Sequence, residues 1–146
     1  MIDHGLRTLL LAQAGIAALV PAQTINRNIV YPIFCNGPVQ GVVPPFVVIK
    51  AQGGDPMITL ETFNESLKEA EVDVRSYGYS QVDAETMHKT IRQFLDDYTG
   101  AAGASDTIQA VVGFSEPVTG YDVQVEGLDS KFWWVETTYT IQYSTP

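Results

Sequence analysis

The chain has 146 residues, the usual length of one domain, and 45% of them are hydrophobic. With 12 Gly and 8 Pro residues, its composition excludes a disordered, a collagen-like and a multi-span membrane protein. Eight Lys and Arg residues stand against 17 Asp and Glu residues, and the net charge of -9 argues against nucleic-acid binding as the main function.

An apolar segment over residues 9–20 comes first along the chain and ends before Pro21. It is too short to cross a bilayer, and Asp3 offsets Arg7 in the residues before it, so a core helix is favoured over a signal peptide. We predict a helix over residues 4–19, with Asp3 as its N-cap and Pro21 as its stop. Its polar face is thin, which indicates cover by the sheet or by a neighbouring subunit.

Two strands are predicted next, over residues 28–33 and 46–52. The Pro and Gly residues of 38–45 exclude regular pairing between these strands and predict a loop. Residues 53–56, with the sequence Gly-Gly-Asp-Pro, predict a turn.

A long aperiodic excursion follows the predicted turn and ends at Leu67. It also bears the apolar residues Met57, Ile58 and Phe63, which fit no core period. Excursions of this length inside a compact domain are usually functional or disordered. We therefore expect these four residues to contact a neighbouring subunit or a partner protein, with Phe63 as an anchor.

Strict alternation over residues 70–76 predicts a strand with one solvated face. Ser80, with Asp83 three residues on, predicts the start of a second helix, and apolar residues at helical spacing continue it towards a stop at Gly100. These apolar positions are Ala84, Met87, Ile91, Phe94, Leu95 and Tyr98.

The C-terminal third predicts three antiparallel strands, over residues 107–112, 121–126 and 131–143. A small-residue connector over 100–105 precedes them, and a short loop over 127–130 joins the last two. Alternating strands with two long helices argue against a doubly wound parallel sheet. The predicted fold class is α+β, a single domain over 1–146 with a mostly antiparallel sheet packed by two main helices.

The last predicted strand places two large aromatic side chains, Phe132 and Trp134, on an otherwise polar face. Large aromatic residues on a solvated face are typical of interface cores, so both are predicted partner-interface residues. In the alternative, the loop over 38–45 of the same chain covers them.

Residues with catalytic or metal-binding chemistry are scattered along the sequence. Glu85 and His88 have the spacing of a di-iron motif, but such a site needs a second copy of that pair, and Glu85 is better matched with Lys89 on a solvated helix face. His4 has no such partner. We predict no metal site.

Cys35 is the one cysteine, which excludes an intrachain disulfide and a multi-cysteine zinc site. No signature of a Cys/His nucleophile surrounds it, and the glycines at 53–54 lack the spacing and the following helix that phosphate binding needs. Adjacent acids such as Asp96 and Asp97 are typical of solvated charge. We expect no enzyme, no catalytic residue and no cofactor.

The order of these segments carries a family resemblance. The segments are Leu6-Arg7-Thr8-Leu9-Leu10, Asn28-Ile29-Val30-Tyr31-Pro32, Pro45-Phe46-Val47-Val48-Ile49, and the strand over 70–77 that leads into the helix over 84–95. Over residues 5–98 they resemble the tail-completion or tail-terminator (head-to-tail joining) proteins of long-tailed bacteriophages and phage-like particles.

The resemblance implies a structural virion protein with no enzymatic role. Such a subunit forms a ring, typically a hexamer, at the head-proximal end of the phage tail, where it ends growth of the tail tube and docks to the head connector or stopper protein. Its partners are copies of itself, the tail tube protein and the connector. DNA passes through the ring without specific binding, no membrane is involved, and assembly takes place in the cytoplasm of the bacterial host.

The alternative is a cytosolic α+β module, monomeric or dimeric, that holds a small ligand between sheet and helices. Ring formation distinguishes the two functions.

Overall fold

A computed structural model describes residues 2–39, 41–56, 67–103, 106–122 and 132–144. The helices in these ranges are α1 (Ile2–Leu11), α2 (Ala14–Leu19) and α3 (Gln81–Leu95). The strands are β1 (Gln23–Ile25), β2 (Asn28–Val30), β3 (Ile33–Cys35), β4 (Phe46–Pro56), β5 (Leu67–Gly78), β6 (Gly100–Ala102), β7 (Asp106–Phe114), β8 (Val118–Asp122) and β9 (Phe132–Ser144).

One sheet of seven strands organises the fold, in the order β3-β4-β5-β9-β7-β6, with β8 beside β9. The pair β3-β4 is parallel and the other pairs of this sheet are antiparallel. Strands β1 and β2 form a separate antiparallel hairpin. The predicted fold class, α+β with a mostly antiparallel sheet, is confirmed.

The main core lies between the helices and one face of this sheet. In β5 the predicted core face is confirmed, because Ala70, Val72, Val74 and Ser76 are all buried. The other face is solvated only in part, because Glu71 is exposed but Tyr77 is buried. Tyr139, Ile141 and Tyr143 of β9 are buried in the same layer. Burial in this layer raises the pKa of Tyr139 to about 12, so its phenol stays neutral.

A second, smaller cluster lies on the opposite face of the sheet, and we call it the aromatic cluster. Its buried members are Phe34, Val42, Phe46, Tyr77 and Phe132. Phe46 lies at its centre, stacked on Tyr77 with a ring-centroid distance of 4.4 Å and edge-on to Phe34 and Phe132. The sheet is therefore covered on both faces at this end.

The first predicted helix is two helices. The chain leaves the helical path at Gln13, whose backbone is extended, and this redirects α2 so that Ile16 and Val20 reach the core. Asp3 is not the N-cap, because it lies inside the first turn of α1 and is itself buried. Continuous apolar spacing concealed a break that tertiary packing imposes.

The strand predicted over 28–33 is divided as well. Asn26 and Arg27 both adopt positive φ and form the tight turn between β1 and β2. Pro32 has no N–H to donate, so the pairing of β2 ends before it, and β3 begins at Ile33 beside β4.

The predicted turn over 53–56 is wrong. β4 continues to Pro56, and the Gly pair marks a bulge between Gly53 and Asp55 in its pairing with β5. Residues 57–66 of the predicted excursion lie outside the described residues, and Leu67 is the first residue of β5.

The predicted start of the second long helix is confirmed, since the Ser80 side chain accepts a hydrogen bond from the backbone N–H of Asp83. Its predicted stop is wrong. The helix ends at Leu95, where Asp97 with a φ of 57° turns the chain, and Gly100 already belongs to β6.

The three C-terminal strands are antiparallel as predicted, although β8 begins earlier than expected and residues 123–131, including the loop over 127–130, lie outside the described residues. Among the described residues, no helix is long and apolar enough to cross a membrane.

Candidate functional site

Phe132 lies in the chain's own core. It is 1% exposed, and its ring contacts Phe46 and Tyr79 edge-on. Val42, from the loop over 38–45, belongs to the same cluster. The loop over 38–45 of the same chain therefore covers Phe132, which is the alternative to a partner interface. Little of the Phe132 side chain is left to contact a partner.

Trp134 is half-buried at the edge of the aromatic cluster. The Arg75 guanidinium lies over its ring, 4.0 Å from the centroid, and also pairs with Glu136 at 2.7 Å. Gly120 of β8 faces the ring so closely that a Cβ there would overlap it. Although burial opposes it, contact with Tyr77 and Glu136 raises the pKa of Arg75, so the guanidinium over the indole is charged.

The remaining predicted interface residues do not join this aromatic pair. Met57, Ile58 and Phe63 lie outside the described residues. Leu67 is half-buried and pairs with Ser144, whereas Trp134 pairs with Tyr77 at the other end of β5. Because Leu67 and Tyr77 are ten positions apart in β5, Leu67 and Trp134 lie roughly 33 Å apart along the sheet.

A free sheet edge carries exposed apolar side chains that the sequence analysis missed. β7 and β8 both pair with β9, and among the described strands only β6 covers part of their outer side, over residues 106–108. Val112, Phe114, Val118 and Tyr121 follow this edge and are 38 to 57% exposed. We call these four residues the edge patch.

A second exposed apolar group lies at the other edge of the sheet, around β3. Ile29 and Tyr31 come from the β1-β2 hairpin and the residue after it, and Val39 and Val43 come from the loop between β3 and β4. Their exposure ranges from 45 to 70%. We call these four residues the hairpin patch.

The structure also brings together residues that the sequence analysis treated as isolated. Ligand atoms of Asp3, His4 and Cys35 all lie within 4.8 Å of one another, because the first turn of α1 packs beside the end of β3. Burial, and then the Asp3 carboxylate, raises the pKa of the Cys35 thiol, so this cysteine is not an activated nucleophile. His4, which lacks the partner of a di-iron motif, lies beside two other potential metal ligands.

Among the described residues, His88 belongs to no group of three potential metal ligands. It is buried against β9, with its Nδ1 3.3 Å from the Thr137 hydroxyl, while Glu85 accepts a hydrogen bond from Gln81. An open groove of about 330 Å³ runs past this helix face. Its lining residues are Glu85, His88, Lys89, Arg92, Pro117, Thr119 and Val135.

We expect His88 to make stability depend on pH. Burial, and then the Arg92 charge, lowers its pKa in the folded chain, and Glu85 opposes this only in part. The unfolded chain, with its ordinary pKa of about 6.5, therefore takes up the proton first, so this stability is complete above that pH and is lost as the pH falls below it.

Urea denaturation of the parent and of His88→Gln, from about pH 7 to about pH 5, tests this sign. The parent should lose stability more steeply than the variant by up to about 1 kcal/mol per pH unit. If the free energy of unfolding changes with pH equally in the two proteins, His88 has the same pKa in the folded and the unfolded chain, and the prediction is wrong.

One comparison with known proteins found a solved structure with a similar fold. No family model and no curated protein matches the sequence. The structure is similar to a chain in a solved structure titled "Virion of native gene transfer agent (GTA) particle", with a TM-score of 0.65 and 11% sequence identity. The alignment covers 97% of this chain and 93% of that chain. The protein therefore shares, over nearly its whole length, the fold of a chain in a gene transfer agent virion.

Proposed function

We propose that the protein is a structural component of a phage-like virion and that it forms a ring at the head-proximal end of the tail tube. There it ends tube growth and joins the tail to the head connector or stopper protein. The observation that carries this proposal is the fold match over 97% of the chain to a chain of a gene transfer agent virion. The tail-terminator resemblance of residues 5–98 supports the position within the particle.

The two exposed patches support ring formation. In a ring, each subunit presents two different surfaces, and one surface binds the other surface of the next subunit. The edge patch follows one edge of the main sheet, and the hairpin patch lies around β3 at the other edge, so each subunit can contact two neighbours at once. A ring of six is the size that the family resemblance implies.

The charge of the chain suits a conduit for DNA. Six copies of a chain with a net charge of -9 carry a total charge of -54. Because this charge repels phosphate groups, DNA would pass without being retained. Acidic charge also favours solubility on its own, so it supports the proposal less than the fold does.

The role requires no catalytic group, and we propose that the protein is not an enzyme. Its partners would be copies of itself, the tail tube protein and the connector, and its place would be the assembled virion.

A tube-capping experiment tests the proposal. The purified chain is added at increasing ratios to polymerising tail tube protein from the same particle, and tube lengths and ends are imaged by electron microscopy. We expect mean tube length to fall as the ratio rises, with a ring of extra density at one end. Light scattering of the chain alone gives the ring mass if the ring forms without the tube.

A chain that stays monomeric and leaves tube length unchanged would contradict the proposal and favour the ligand-binding alternative. The groove beside His88, at about 330 Å³, is at the small end of the roughly 300 to 1,000 Å³ range of ligand pockets. It gives that alternative less support than the two patches give the ring.

A further inference from the structure

We propose that Asp3, His4 and Cys35 form a binding site for a divalent transition metal ion, with zinc as the best match. Each residue offers a different donor: a carboxylate oxygen, an imidazole nitrogen and a thiolate sulfur. The proposal is independent of the ring function.

The three donor atoms are close enough for one ion. They lie within 4.8 Å of one another, and donors around a tetrahedral zinc ion are separated by roughly 3.3 to 3.8 Å, given bonds of about 2.0 to 2.3 Å. Closing this difference needs side-chain movements of about 1 Å. His4 is exposed and Cys35 is half-buried, so the imidazole has room to turn towards the other two donors.

An unsatisfied carboxylate oxygen points independently to a bound cation. Asp3 is 4% exposed, and its Oδ1 is buried with no hydrogen-bond partner among the described residues. A buried carboxylate oxygen without a partner is unfavourable. A metal ion bonded to this oxygen would remove that cost.

The backbone around the three residues is already held in place. From α1, the Arg7 side chain donates hydrogen bonds to the carbonyl oxygens of Tyr31 and Ile33, which fixes the helix against β3. Alternation along β3 puts Cys35 on the same face as buried Ile33, the face that α1 covers. The ion would therefore join two elements whose relative position is set.

The donor set selects the kind of ion. Thiolate and imidazole favour zinc and similar ions over Mg²⁺ and Ca²⁺, which prefer oxygen ligands. On binding, the thiol proton passes to solvent, and the thiolate and the Asp3 carboxylate together balance the charge of the ion. A water molecule completes four-coordination. Such an ion would tie the N-terminal helix to the edge strand of the sheet.

Titration of tag-free, reduced protein with Co²⁺ and then with Zn²⁺ tests the site. We expect one equivalent of Co²⁺ to bind, with visible bands of tetrahedral cobalt and a thiolate charge-transfer band in the near ultraviolet, and Zn²⁺ to displace it. Cys35→Ser should abolish the charge-transfer band, and His4→Ala should weaken binding by about tenfold or more. His88→Gln changes the other histidine of the chain and should bind as the parent does.

A thermal measurement gives a second result. At zinc concentrations about one hundred times the measured Kd, the melting temperature of the parent should rise by about 5 to 10 °C, and that of Cys35→Ser should not. Because His4 is exposed, His4→Ala keeps the fold and reports on the ion alone. Absence of stoichiometric binding, a cobalt spectrum without the thiolate band, or equal affinity of the parent and His4→Ala would each overturn the proposal.

Discussion

Phe132→Ala should lower the free energy of unfolding by about 3 to 5 kcal/mol, the cost of removing a fully buried aromatic side chain. Phe132 is 1% exposed and packs on Phe46, so the truncation leaves a cavity between β9 and the loop that carries Val42. The melting temperature should fall by about 10 °C or more. Urea denaturation of the isolated chain measures the change in free energy directly.

Trp134→Ala is the matched comparison, because the two residues share one face of one strand. Trp134 keeps part of its ring in solvent, so its truncation should destabilise the monomer less than Phe132→Ala does. A contrary result would be a Phe132→Ala chain that melts like the parent and fails to join subunits. Phe132 would then act at the partner interface that the sequence predicted.

Local patterns predicted the parts of the fold in which local preference and tertiary packing agree. The alternation over residues 70–76 identified the buried face of β5, because successive side chains of a strand point to opposite faces of the sheet. Ser80 marked the start of α3, because its hydroxyl satisfies a backbone N–H of the first helical turn. Both signals depend on residues within a few positions of each other.

The parts that failed depend on contacts distant in the sequence. Apolar spacing is continuous through Gln13, and only the position of the core shows why the helix breaks there. The strand pattern showed which face carries Phe132 but left open whether a partner or the loop over 38–45 covers it, and only the fold places Val42 there. In the same way, a turn was predicted at Gly53 because a bulge and a turn use the same residue type.

The Asp3, His4 and Cys35 cluster also depends on contacts between residues that are distant in the sequence. No spacing rule connects the first turn of α1 to Cys35, because the contact exists only when β3 pairs with β4 and α1 packs over it. The buried position of Asp3, which the sequence analysis had placed at a helix cap, is the clue that only the fold supplies.

The two patches allow a test that distinguishes a ring from a two-fold dimer. Val118→Arg places a charge in the edge patch, and Ile29→Arg places one in the hairpin patch. In a ring, every interface joins one patch of each kind, so either variant alone puts an unpaired charge into all interfaces. At about 3 kcal/mol for each buried charge, association should weaken more than a hundredfold, and rings should disappear.

Mixing the two variants should restore one interface and no more. The intact edge patch of the Ile29→Arg chain can bind the intact hairpin patch of the Val118→Arg chain. The other patch of each chain carries the introduced charge, so no third chain can bind. Light scattering should therefore give the mass of a dimer for the mixture and of monomers for each variant alone. Val82→Arg, which changes an equally exposed residue of α3 outside both patches, should assemble as the parent does. If one of the two variants assembles normally by itself, its patch lies outside the interface, and the head-to-tail arrangement of subunits is wrong.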